Sequence, residues 1–216
     1  MHLKLRNIAI NRKKFFISFS FKNLNLFKIL FLVFTFGFIF GVILIGINQQ
    51  ESLVQLKSLM ERFIKNRTQD SVLVTFMSSF IGFLSLILVL FLVGFFPLGQ
   101  PIAFFILIFH GLGLGLCSAY LYSLKGIQGV IFCIFIVAPC EVLYVLLLLI
   151  SANFSIRFSN NNFKNLFPEK YSQSNRFYLR KYVLRFITIF SFIFVVAFVD
   201  CLTTFIFYSF FNINLV

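Results

Sequence analysis

The chain is 216 residues long, 60% hydrophobic and 12% charged, with 19 Lys and Arg against 6 Asp and Glu for a formal net charge of +13. A soluble domain carries about a quarter of its residues as charges, so this composition excludes a single globular domain in water. In a soluble protein such a cationic balance would point to nucleic acid, but the cations here fall in blocks beside apolar runs, and the bilayer explains them.

Residues 1–25 form a basic segment in which Phe15, Phe16, Phe19 and Phe21 alternate with Lys13, Lys14 and Lys22. The pattern fits either a segment lying at the headgroups or a basic tail without fixed structure. From residue 26 to 216 the chain reads as one polytopic membrane domain. Its spans are placed at 29–47, 72–96, 102–124, 130–150 and 186–211, each reaching the roughly 18 apolar residues that cross about 30 Å of hydrocarbon. The first is too long for the hydrophobic core of a signal peptide, and Gly46-Ile47-Asn48-Gln49 offers no small-x-small cleavage site, so it reads as an uncleaved anchor.

Between the first two spans, Asn48 to Ser71 carries Leu53, Leu56, Leu59, Met60, Phe63 and Ile64 at helical spacing, with Lys57, Glu61, Arg62 and Lys65 on other faces. This predicts a short amphipathic helix. It is either a connector lying at the headgroups or a docking element for an outer partner, with Leu56, Met60 and Phe63 as the contact residues. The prolines of Phe96-Pro97-Leu98-Gly99-Gln100-Pro101 end one helix and open the next, which makes a tight hairpin. An equally short connection, Ser123 to Gly129, follows the third span. Ser151 to Lys181, polar and Asn-rich, reads as the one sizeable loop on the basic face, with a candidate surface helix within it.

Charge sets the expected orientation. Lys4, Arg6, Arg12, Lys13, Lys14, Lys22 and Lys28 precede or open the first span, and Arg157, Lys164, Lys170, Arg176, Arg180, Lys181 and Arg185 lie between the fourth and the start of the fifth. The opposite face holds only Lys57, Arg62, Lys65, Arg67 and Lys125. The positive-inside rule then predicts an all-α bundle of five transmembrane helices with the N-terminus in and the C-terminus out.

Inside the spans, small residues allow helices to approach closely. Gly37 and Gly41 make one GxxxG, and Gly111, Gly113 and Gly115 make a stripe on the third span; these serve packing within the chain or association with a second copy. Cys117, Cys133, Cys140 and Cys201 all lie within spans without a CxxC pattern, so neither a disulfide framework nor a metal centre is expected. No cofactor motif is present. Pro139 breaks the fourth span just before Glu141.

Three ionisable residues, His110, Glu141 and Asp200, sit near the middle of different spans. A charge at that depth costs about 2.5–3.5 kcal/mol on insertion scales, so each needs a partner or a role. Antiparallel packing would bring the three to similar depth, which predicts an intramembrane polar cluster facing the bundle, with at least two of the three within hydrogen-bonding reach directly or through one water. No Gly-x-Ser-x-Gly, His-Glu-x-x-His or paired-Asp signature accompanies them, and the chain reads as non-enzymatic.

Taken in order, the Pro97-Leu98-Gly99-Gln100-Pro101 hairpin, the run Phe109-His110-Gly111-Leu112-Gly113-Leu114-Gly115, the turn Lys125-Gly126-x-x-Gly129, Pro139-Cys140-Glu141 and Val199-Asp200-Cys201-Leu202-Thr203 resemble the stage II sporulation protein M family. The likeness covers roughly residues 82–150 and 195–203. It implies a multi-pass protein of the cell membrane that acts as a scaffold in spore engulfment, gathering a peptidoglycan transglycosylase-type protein and an amidase- or endopeptidase-type protein. The competing class is a transporter or channel component in which Glu141, Asp200 and His110 line a hydrated ion or proton path.

Overall fold

The computed structural model describes residues 24–47, 72–96, 99–165 and 174–208. These are α1 (Leu24–Ile47), α2 (Val72–Val93), α3 (Gly99–Lys125), the short α4 (Ile127–Phe132), a π-helical turn (Cys133–Val137), α5 (Ala138–Asn165) and α6 (Ser174–Tyr208). Five of the helices are long and apolar enough to cross a membrane, over Asn25–Ile47, Leu73–Val93, Gly99–Ser123, Ala138–Asn160 and Tyr178–Ile206. The described residues contain no strand. The basic N-terminal segment and the proposed docking residues Leu56, Met60 and Phe63 lie outside the described residues.

Two boundaries differ from the sequence reading. Ser151 to Asn165 is not loop but four further turns of α5, and α6 begins at Ser174, well before 186. Serine and asparagine resembled loop composition, yet Ser151, Ser155 and Ser159 recur every four residues and are fully buried along one face of α5. Ser151 satisfies its hydroxyl by donating to the Leu147 carbonyl of its own helix, 2.7 Å away, which makes a small polar residue acceptable within a packed helix.

α5 is the central helix. Over its apolar window 56% of residues are buried, against 17–33% in the other spans. It packs on α1, α2, α3 and α6. The core joins Tyr144, Leu148 and Ala152 of α5 to Ile87 of α2, Leu107 of α3 and Phe186 of α6. Around this core the outward faces are apolar, with Phe36, Leu73, Phe105, Phe109 and Phe205 strongly exposed, as a lipid solvent requires.

The most extensive helix pair is α1 on α3, and glycine makes it. A Cβ built on Gly37 would stand 2.4 Å from the carbonyl oxygen of Ile108, and one on Gly41 2.4 Å from that of Leu112. The relation is reciprocal, because Gly111 and Gly115 meet the carbonyl oxygens of Phe34 and Phe38 at 2.4 and 2.1 Å. Two GxxxG faces therefore interlock within one chain, backbone against backbone. Gly113 takes no part: it is exposed and nothing lies within 4 Å of its Cβ position, since a residue two places from Gly111 and Gly115 points away from the face they share.

Both short connections are fixed by backbone geometry. Gly126 adopts φ +56° and ψ −129°, a backbone conformation open to glycine and not to residues with a Cβ, where α3 ends, and its N–H donates to the Tyr122 carbonyl at 2.8 Å. Three residues later a Cβ on Gly129 would lie 2.0 Å from the Leu121 carbonyl oxygen, so the returning helix passes too close for any side chain. At the other end the α2–α3 hairpin is fastened to α5. Ser159 Oγ donates to the Phe96 carbonyl at 2.7 Å and accepts from the Gly99 N–H at 3.2 Å, and Gln100 donates to Asn160.

Candidate functional site

His110 of α3 and Glu141 of α5 face each other, His110 Nε2 standing 3.5 Å from Glu141 Oε2. Their side chains are only 15% and 20% exposed. The separation is that of an ion pair, and the geometry falls outside that of a hydrogen bond. Tyr144, one turn beyond Glu141, completes the surroundings: its ring meets the imidazole edge-on at 5.1 Å and lies tilted against Phe83 at 4.4 Å, and its hydroxyl donates to the Phe83 carbonyl at 3.2 Å. Phe34 of α1 covers the other side of His110 at 6.2 Å.

Pro139 determines how Glu141 reaches this position. Without an N–H, and with a ring that would strike the carbonyl four residues back, proline cannot continue a regular α-helix. Here the helix widens into the π-turn Cys133–Val137 immediately before it, a recurrent way of absorbing such a defect. Glu141 then lies in the first turn of the restored α-helix.

Asp200 takes a different partner. It is fully buried, and its Oδ2 accepts a hydrogen bond of 2.6 Å from Ser79 of α2. Its position follows from the inward stripe of α6, on which Tyr182, Phe186, Ile189, Ile193, Val196, Asp200 and Thr204 recur at helical spacing. Neither His110 nor Glu141 bonds to it. Two of the three residues thus come together, Glu141 of α5 against His110 of α3, while Asp200 on the inward face of α6 bonds Ser79 of α2.

Sequence reasoning singled out neither Ser79, Tyr144, Ser159 nor Tyr182. Tyr182 lies between two rings, stacked on Phe158 at 4.2 Å and on Phe91 at 5.4 Å, and its hydroxyl donates to the Phe91 carbonyl at 2.8 Å. The available signal was the four-residue recurrence of Ser151, Ser155 and Ser159, together with the i, i+3 spacing of Glu141 and Tyr144. No disulfide joins the four cysteines. Among the described residues, no group of three or more His, Cys, Asp or Glu side chains is arranged to hold a metal ion.

The family pattern described as stage II sporulation protein M matches residues 29–204. The chain belongs to the stage II sporulation protein M family. The match begins at the first span and runs through Asp200 to the last buried threonine, Thr204, so it covers more than the two segments that carried the sequence resemblance. It takes in the glycine interlock, the Pro139 π-turn, the His110–Glu141 pair and the Asp200–Ser79 bond. No curated protein and no solved structure matches the chain.

Proposed function

We propose that this protein is a non-enzymatic scaffold of the cell membrane, oriented with its N-terminus in the cytoplasm, that recruits extracytoplasmic peptidoglycan-remodelling enzymes during spore engulfment or a related envelope process. Membership of the stage II sporulation protein M family supports the process. The observation that carries the scaffold reading is the use made of buried polar groups. Ser79 ties α6 to α2 through Asp200, Tyr144 ties α5 to α2, and Ser159 ties α5 to the α2–α3 hairpin. Groups used this way fix helices relative to one another, as a platform requires. Recruitment would fall to the outer connection carrying Leu56, Met60 and Phe63.

One observation favours the competing transport reading: His110 and Glu141 stand 3.5 Å apart beside a π-turn, a titratable pair next to a break in the helix. Crosslinking in membranes followed by mass spectrometry of the captured proteins separates the two. The scaffold predicts recovery of secreted wall hydrolases, reduced by replacing Leu56, Met60 and Phe63 with Ser at unchanged abundance. Glu141→Gln retains that recovery. Proton-dependent flux in liposomes that is abolished by Glu141→Gln, with no wall enzyme recovered, would overturn the scaffold.

A further inference from the structure

The end of the bundle that carries the α2–α3 hairpin is charged in an unbalanced way. Of the chain's acidic residues, Glu51, Glu61 and Asp70 lie on the connection at the opposite end, and Glu141 and Asp200 lie mid-span, which leaves Glu169 to answer the basic residues from Arg157 to Arg185. Four of those basic residues lie inside the apolar windows of their helices, Arg157 within Ala138–Asn160 and Arg180, Lys181 and Arg185 within Tyr178–Ile206, and of these Arg185 lies deepest. At about 1.5 Å per residue, Arg157 is roughly 5 Å and Arg185 roughly 10 Å inside the ends of those windows. That is where the acyl region gives way to the headgroups.

The two arginines belong to neighbouring helices that pack on each other, and one of them lies over a ring. Arg185 reaches from α6 to place its Cζ 4.5 Å from the centroid of Phe154 on α5. Phe154 and Arg157 are three residues apart and so share a face of α5. Arg157 and Arg185 are close enough to repel each other. Arg157 is half-buried, Arg185 is exposed, and Arg185 has no carboxylate partner among the described residues. An exposed side chain at this depth faces lipid rather than bulk water. A planar fork held against an aromatic face, with a second fork beside it, is the donor arrangement that takes a phosphate.

We infer that Arg157 and Arg185, with Phe154 as the platform, form a binding site for the phosphate of an anionic phospholipid headgroup at the α5–α6 seam. The occupant relieves the repulsion between the two guanidinium groups, while its acyl chains lie along the exposed apolar surface of α6 at Phe192, seven residues on and on the same face as Arg185. Because each arginine comes from a different helix, bound lipid also clamps α5 to α6.

The test uses the full chain reconstituted in vesicles of phosphatidylcholine alone or phosphatidylcholine with phosphatidylglycerol, then extracted gently for native mass spectrometry. The expected result is that Arg157→Gln/Arg185→Gln retains about tenfold less phosphatidylglycerol than the parent, the equivalent of one charge-assisted bond. Phosphatidylcholine retention stays equal. Arg180→Gln, which removes an exposed charge at the same end, leaves phosphatidylglycerol retention unchanged, and Arg157→Lys/Arg185→Lys falls between the parent and the Gln pair. In detergent, phosphatidylglycerol raises the apparent melting temperature of the parent by about 3 °C and of the Gln pair by less than half as much. Equal retention by parent and Gln pair, or an equal loss with Arg180→Gln, would overturn the site. Inorganic phosphate giving the same stabilisation as phosphatidylglycerol would overturn its assignment to lipid.

Discussion

Adding one methyl group at Gly37 tests the glycine interlock directly. The new Cβ would stand 2.4 Å from the Ile108 carbonyl oxygen, 3.0 Å from its Cα and 3.1 Å from its carbonyl carbon. All three are backbone atoms of α3 and cannot swing away as a side-chain tip would. Ordinary contact begins near 3.4 Å, so α1 must withdraw by roughly 1 Å, a gap that forfeits a quarter to a half of each dispersion contact along the seam. Overpacking of this kind costs about 1–3 kcal/mol, and helix propensity returns about 1 kcal/mol at most. Gly37→Ala is therefore expected to destabilise by about 1–2 kcal/mol in reversible unfolding from mixed micelles. Gly41→Ala pushes the same helices apart in the same direction, so the double variant should cost less than the sum of the singles. Gly113→Ala and Gly82→Ala, with nothing within 4 Å of either Cβ position, should be neutral or slightly stabilising. A neutral Gly37→Ala, or a Gly113→Ala as costly as Gly37→Ala, would show that α1 and α3 do not approach through these glycines.

Three further outcomes follow from the polar ties. Ser79→Ala leaves the buried Asp200 oxygen without the Ser79 hydroxyl and should cost about 1–3 kcal/mol; combined with Asp200→Leu it should cost markedly less than the two separately, and strict additivity in that double-mutant cycle would mean that the 2.6 Å bond carries no coupling. Ser159→Ala removes a bond to the Phe96 carbonyl and another from the Gly99 N–H, with an expected loss of about 1–2 kcal/mol and faster proteolysis of the hairpin; Ser123→Ala, whose hydroxyl bonds only its own helix at Tyr120, serves as the neutral reference. Reporter fusions should place the C-terminus outside, and a cytoplasmic C-terminal signal would reverse the orientation drawn from the charge blocks.

The helical architecture was legible because a bilayer imposes a length and a polarity that composition cannot imitate by accident. What escaped was direction around the helix. Ser151 to Asn165 was read as loop because polarity in a membrane protein ordinarily marks water, whereas the four-residue period of Ser151, Ser155 and Ser159 marks a face packed against other helices. Sequence likewise placed His110, Glu141 and Asp200 at a common depth without naming the partner of each. Depth follows from counting residues within a span, but a partner depends on where each span's inward stripe points, and α6 points Asp200 at Ser79. Gly113 illustrates the converse: three alternating glycines looked like one packing stripe, yet helical geometry keeps two of them on a face and turns the third to lipid.

Two kinds of contact hold this bundle, and they differ in what they specify. α2, α5 and α6 are joined by directional bonds: Ser79 to Asp200, Tyr144 to the Phe83 carbonyl, Tyr182 to the Phe91 carbonyl and Ser159 to the hairpin. Each of these fails if a helix slides by one residue, so together they set register. α1 meets α3 through interlocking glycines, a contact that depends on shape and has no polar group to lose. Apolar packing of this sort contributes in lipid through close fit rather than through expulsion of water, and a 1 Å misfit removes much of it. The consequence is a division within the family fold, in which a register-locked core around α5 carries the buried acids and α1 is held by fit alone. α1 leads into the connection that carries Leu56, Met60 and Phe63 and α2 leads out of it, so a pull on that connection from a bound partner would load the glycine seam at one end and the Ser79–Asp200 bond at the other.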